Sequence, residues 1–200
     1  MTRVEFPPAT RPSLLARLVD PANQAAWAEF VALYGPLVFG DLVRRGLARA
    51  DAEDVTQRVF ARLVRAFRSF RYAPARGRFR DWLGVVVRNE THRFQRAAGR
   101  RPVMLSPPGG DDYADGAADP EWVDAFQARV LAAAMDRVRP RFEPATWEAF
   151  RRVWVDDHPA DAVAADLGRP VDWVYVAKSR VLKALAEQVR DLTDDLPFGH

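Results

Sequence analysis

The chain has 200 residues, a formal net charge of +3, and 48% apolar and 11% aromatic residues, enough to bury a core in one ordinary domain or two small ones. It has no cysteine, which excludes disulfides and thiolate metal sites, and its three histidines, His92, His158 and His200, lie too far apart in sequence to resemble a ligand set. No apolar run approaches the ~20 residues that span a bilayer. The opening Met-Thr-Arg-Val-Glu-Phe-Pro-Pro also lacks the apolar stretch of a signal peptide, so a cytoplasmic protein with no membrane partner is expected.

Asp20-Pro21 reads as a helix start, a capping carboxylate followed by proline at the first helical position. Trp27, Phe30, Val31 and Tyr34 then fall at helical spacing, and a bend or break is predicted near Gly35-Pro36. A second helix is predicted from about Asp51, with Val55, Val59, Leu63 and Phe67 four apart on one core-facing stripe. The stretch 71–78 has the proline and glycine of a loop. From Phe79 a third helix places Leu83, Val86, Val87 and Phe94 inward and Arg88, Asn89, His92, Arg93 and Arg96 outward.

Residues 102–120 combine proline, glycine and acid without periodicity and read as a linker. Helical pattern resumes at Glu121 and runs to about Leu192, with breaks near Pro140, Pro144, Pro159 and Gly168. No strand pattern and no internal repeat is visible. The fold class expected is all-α: two small helical domains, 1–101 and 121–200, the second ending in a short tail, joined by an acidic flexible linker, 102–120.

Charge is segregated along this plan. Residues 41–101 hold sixteen arginines against six acids, whereas 102–128 hold six acids and no base. The basic block interleaves Phe67, Phe70, Tyr72, Phe79, Trp82 and Phe94 with its arginines, a pattern suited to a phosphate backbone with bases available for stacking. A solvated helical face in an arginine-rich chain gives the same pattern, and charge alone leaves both open.

Near the C-terminus, Ala160 as first position of a helix-turn-helix puts Val163 fourth, Ala164 fifth, Leu167 eighth, Gly168 ninth, Val174 fifteenth and Ala177 eighteenth. Each has a physical reason: a small residue where the helices touch, glycine at the sharp turn, and apolar residues holding the second helix on the first. That second helix, about 172–188, is expected to present Trp173, Tyr175, Lys178, Ser179 and Lys183 away from the core, as a recognition helix does in a major groove. The alternative is a helical hairpin used for protein contact.

Asp-x-x-Gln-x-x-Phe at 54–60, then Phe-x-x-Trp-Leu from Phe79, then Arg88-Asn89, an acidic linker and a terminal helix-turn-helix, in that order, resemble a bacterial RNA polymerase sigma factor. The likeness is to the small extracytoplasmic-function type and runs from residue 13 to about 192. It implies a region 2-like domain at 1–101 and a region 4-like domain at 121–200. The partners implied are core polymerase, through the largest-subunit clamp and the flap, and promoter DNA. An anti-sigma factor is a further partner that the family admits.

Carried over by residue, the resemblance implies that Asp54, Gln57 and Phe60 dock on core polymerase. It implies that Arg76, Arg78, Phe79, Trp82, Arg88, Asn89, Arg93 and Arg96 meet the −10 element, and that Trp173, Tyr175, Lys178, Ser179 and Lys183 read the −35 element. A captured base needs an aromatic or apolar wall and hydrogen bonds to its edge, which suits Trp82 and Asn89, two helical turns apart. Arg58 and His92-Arg93 depart from the family, which usually has acid there. No glycine-rich phosphate loop, metal-ligand cluster or nucleophile–base pair is present, so neither an enzyme nor a cofactor is expected. The rival reading is a stand-alone helix-turn-helix regulator that binds DNA without polymerase.

Overall fold

The computed structural model describes residues 13–68, 78–97, 99 and 119–193, and every regular element among them is helical. The order is α1 (Leu14–Arg17), α2 (Gln24–Arg44), α3 (Arg49–Phe67), α4 (Phe79–Ala97), α5 (Pro120–Val138), α6 (Pro144–Phe150), α7 (Ala160–Leu167) and α8 (Val171–Thr193). Arg76, most of the predicted loop, residues 102–118 of the predicted linker and the tail from 194 lie outside the described residues.

The first long helix starts later than predicted. Asp20 is used in a local turn, its carboxylate accepting from the Ala22 N–H, and Asn23 caps α2 by accepting from Ala26 N–H. Nor does Pro36 break α2, which runs straight through it to Arg44. Proline removes the N–H that would bond the carbonyl four residues back and crowds that turn. Arg129 of α5 supplies a donor in its place, its Nη2 lying 2.9 Å from the Ala32 carbonyl, and its Nε also reaches the Leu33 carbonyl at 3.0 Å.

Length and composition would let α2 cross a bilayer, and no other helix among the described residues passes that test. Its apolar residues are used otherwise. Phe30, Tyr34 and Val38 are fully buried, with α3 packed on one side and α5 on the other. The α3 stripe Val55, Val59, Leu63 and Phe67 is buried as predicted. Phe79, at the start of α4, is 1% exposed with its ring against Phe30, Tyr34, Phe67 and Phe126.

The largest departure from expectation is that the two helical halves share one core. Trp122 and Phe126 of α5 belong to the same buried cluster as α2, α3 and α4, and so do Val181, Leu185 and Leu192 of α8. Tyr34 stacks on Phe126 and donates its hydroxyl to the Leu192 carbonyl at 3.3 Å. Trp122 lies across the start of α4 and donates Nε1–H to the Arg80 carbonyl at 2.9 Å. It sits so close to Gly84 that a Cβ there would meet Nε1 at 2.9 Å.

Charged groups close the seam between the halves. The buried Asp41 carboxylate accepts from Arg44 and Arg45, and these arginines reach on to Glu121 and Asp119 at the start of α5. Glu29 bridges Arg17 and Arg137. Sequence periodicity marks each helix's apolar face but not its partner, so this packing was not predicted.

Phe79→Ala should lower the urea-unfolding free energy by about 3–5 kcal/mol, as expected for an aromatic removed from a filled core. Arg129→Ala should cost about 1 kcal/mol, the value of hydrogen bonds at a partly wet site. Both losses should register at one denaturant midpoint whether followed by helical circular dichroism or by tryptophan fluorescence.

Candidate nucleic-acid interface

Asp54 and Gln57 lie exposed on one edge of α3, while Phe60 turns inward and meets Phe30 edge-on at 5.9 Å. Arg58 stands between α3 and α4. Its guanidinium is 3.3 Å from the Asp54 carboxylate and 5.3 Å from the centre of the Phe94 ring. The reversed charge at this position therefore covers part of the acidic edge, although both groups are half-exposed and the pair is worth little on its own.

On α4, at about 100° per residue, Trp82, Asn89, Arg93 and Arg96 fall in one stripe about 60° wide. Trp82 is half-buried, edge-on to Phe67 at 5.9 Å and tilted against Phe79 at 5.8 Å. Asn89 is half-buried as well, and its side chain has no hydrogen bond among the described residues. Arg78 and Arg88 have no carboxylate partner among the described residues, and Arg96 bonds only the His92 carbonyl. Arg93 is instead held by Glu90 at 2.6 Å.

Two residues of this helix depart from expectation. Phe79 is core and cannot line a surface pocket. His92, predicted to face outward, is 5% exposed, with its Nε2 buried and unpartnered. Gln95, one turn on, likewise buries an unpartnered Oε1. An arginine-rich pattern on both flanks hides these inward-facing polar positions, and nothing in the sequence periodicity separates His92 from Arg93.

In the C-terminal part, α7 ends at Gly168, whose left-handed backbone (φ +60°) reverses the chain without the strain a Cβ would bring. Val163, Ala164, Val174 and Ala177 are buried together with Ala149 of α6, so the helix-turn-helix has its own small core braced from behind. Arg152 ties α7 to the segment before it through Asp166 at 2.6 Å.

The outward face of α8 is rotated from its predicted position. Opposite the buried row Val174, Ala177, Val181 and Leu185 stand Asp172, Val176, Ser179 and Lys183, all exposed. Tyr175 is 54% exposed beside them. Trp173 is half-buried against the small core with the Arg169 guanidinium 5.2 Å above its ring, and Lys178 lies half-buried on the flank nearest the core. Choosing aromatic and lysine residues by type passes over the exposed Asp172, Val176 and Arg180. Counting around the helix from Val174 and Ala177 would have found them.

Residues 30–101 match the Sigma-70 region 2 family, a span that takes in α3, α4 and most of α2. The chain therefore contains a sigma-70 region 2 domain. It is also 25% identical over 173 residues to the ECF RNA polymerase sigma factor RpoE of Cereibacter sphaeroides, covering 86% of this chain and 90% of that protein. Over most of its length the chain is thus similar to a sigma factor of the extracytoplasmic-function type.

Burial, and then the charges of Arg96 and Arg88, hold the His92 pKa below its ordinary value of 6.5. The folded chain thus stays neutral at this position where the unfolded chain takes up a proton. Stability should be complete above pH 6.5 and fall as pH drops from there toward the lowered folded value. Urea midpoints at about pH 7.5 and about pH 5.5 measure this, and His92→Leu should remove that share of the decline.

Proposed function

We propose that this chain is a sigma factor that carries core RNA polymerase to promoters, reading a −35 duplex with α8 and opening the −10 element with the outward stripe of α4. The observation that carries the reading is Asn89. It is a half-buried amide with no hydrogen-bond partner among the described residues, on the same stripe as Trp82 and near Arg78, Arg88 and Arg96, which have no carboxylate partner among those residues. An amide so placed can bond a base edge, Trp82 can wall the base, and Arg78, Arg88 and Arg96 can hold the strand's phosphates. The polymerase performs phosphoryl transfer, and this chain supplies position and strand separation.

Docking belongs to the α3 edge. Asp54 and Gln57 offer a carboxylate and an amide to a partner's polar groups, with Phe60 fixing the helix from beneath. Residues 121–200 form the region 4-like half, whose helix-turn-helix geometry suits insertion of α8 in a major groove. The stand-alone regulator is not favoured, since it leaves the region 2 match without a use.

Purified full-length chain mixed with core polymerase should open a defined promoter that core polymerase alone leaves closed. Asn89→Ala should bind core polymerase as the parent does, yet lower duplex opening by about tenfold, within the range of a lost base contact. A template already mismatched across the −10 element should restore most of that activity. Melting of the fold, or undiminished opening, would assign Asn89 a structural role only.

Replacing both Asp54 and Gln57 with alanine should weaken co-purification with core polymerase at unchanged helical content. Arg58→Ala, which releases the Asp54 carboxylate, should strengthen it. Unchanged binding in both variants would move the docking surface off α3.

A further inference from the structure

Among the described residues, six large apolar side chains stand exposed, and three of them, Val171, Tyr175 and Val176, occupy the first two turns of α8. Val176 is 55% exposed and belongs to neither buried cluster. A β-branched residue on a wet helix surface contributes less to helix stability than alanine or lysine, so folding gives no reason for it.

Its neighbours on the face are Asp172 one turn before and Ser179 and Lys183 one and two turns after. The cations Arg180 and Lys183 have no acidic partner among the described residues and suit the phosphates bordering a groove. Asp172 does the opposite: a carboxylate at the middle of the face is repelled by phosphate, so the centre of the face suits base edges and the basic flank suits the backbone. The major-groove floor carries one apolar group, the C5 methyl of thymine.

We infer that Val176 is a specificity-determining residue that reads a thymine methyl in the upstream promoter element. The inference rests on the −35 reading above and adds to it a named base and a named atom. Val176 follows Asp172 by about 6 Å along the helix, or about two base-pair steps, so the thymine lies within two pairs of any base that Asp172 approaches. Covering one methyl corresponds to about a fourfold gain in affinity.

The test uses full-length chain with core polymerase. A preferred upstream duplex is selected from random sequence, and each of its thymines is then replaced in turn by deoxyuridine, which lacks only the methyl. One replacement should weaken parent binding about fourfold. Val176→Ala should bind the unmodified duplex weaker by the same factor, lose nothing further at that position, and keep its helical content. Val176→Thr, which retains one methyl, should keep part of the sensitivity.

If a duplex is selected but Val176→Ala responds to every deoxyuridine as the parent does, the assignment of Val176 is overturned and the −35 reading stands. If Val176→Ala loosens core polymerase with or without DNA, Val176 is a polymerase contact and the inference also falls. If no upstream sequence is selected at all, the −35 reading itself fails.

Discussion

Everything in this fold hangs on α2 burying an aromatic face between two sets of helices. Phe30 and Tyr34 meet α3 and α4 through Phe60, Phe67 and Phe79, and the same Tyr34 ring stacks on Phe126 of α5. A helix apolar around most of its girth must be covered around most of its girth. That demand sets where α5 lies. It also turns Pro36 from a break into a docking point, because Arg129 can bond the Ala32 carbonyl that proline leaves open only from a helix lying alongside.

The same arrangement explains how a strongly basic helix is tolerated on this body. α4 presents one row to the aromatic core and the other to water, and acids are spent sparingly on the wet side. Glu90 holds Arg93 and reaches Arg62 at 3.5 Å, while Arg78 and Arg88 remain uncompensated among the described residues. Positive potential is therefore concentrated where the helix is open, and Trp82 and Asn89 stand within it. Buried His92 and Gln95 show the cost of packing such a helix, with polar atoms inside that find no partner among the described residues.

What could be read in the sequence was local. The α3 stripe, the helix breaks after 138 and the helix-turn-helix around Gly168 depend on spacing and on one residue's backbone freedom, and each lies in the structure where it was predicted. What could not be read was tertiary. Pro36 looks like a break until Arg129 is placed beside it, and Phe79 looks like a base-facing ring until four other aromatics surround it. His92 looks like its arginine neighbours until the α4 packing turns it inward. On α8 residue type points to one outward face, whereas the buried row Val174, Ala177, Val181 and Leu185 sets another.

The shared core has a consequence for reach. A folded chain of this length has a radius of gyration of about 16 Å, whereas promoter elements about 25 base pairs apart are separated by about 85 Å of duplex. A body of that size cannot lie on both at once. For the proposed function, then, the α2–α5 seam must part on the promoter. Parting uncovers Tyr34, Phe79, Trp122 and Phe126 and strips Ala32 and Leu33 of Arg129, so the extended form needs a partner surface to replace what it gives up.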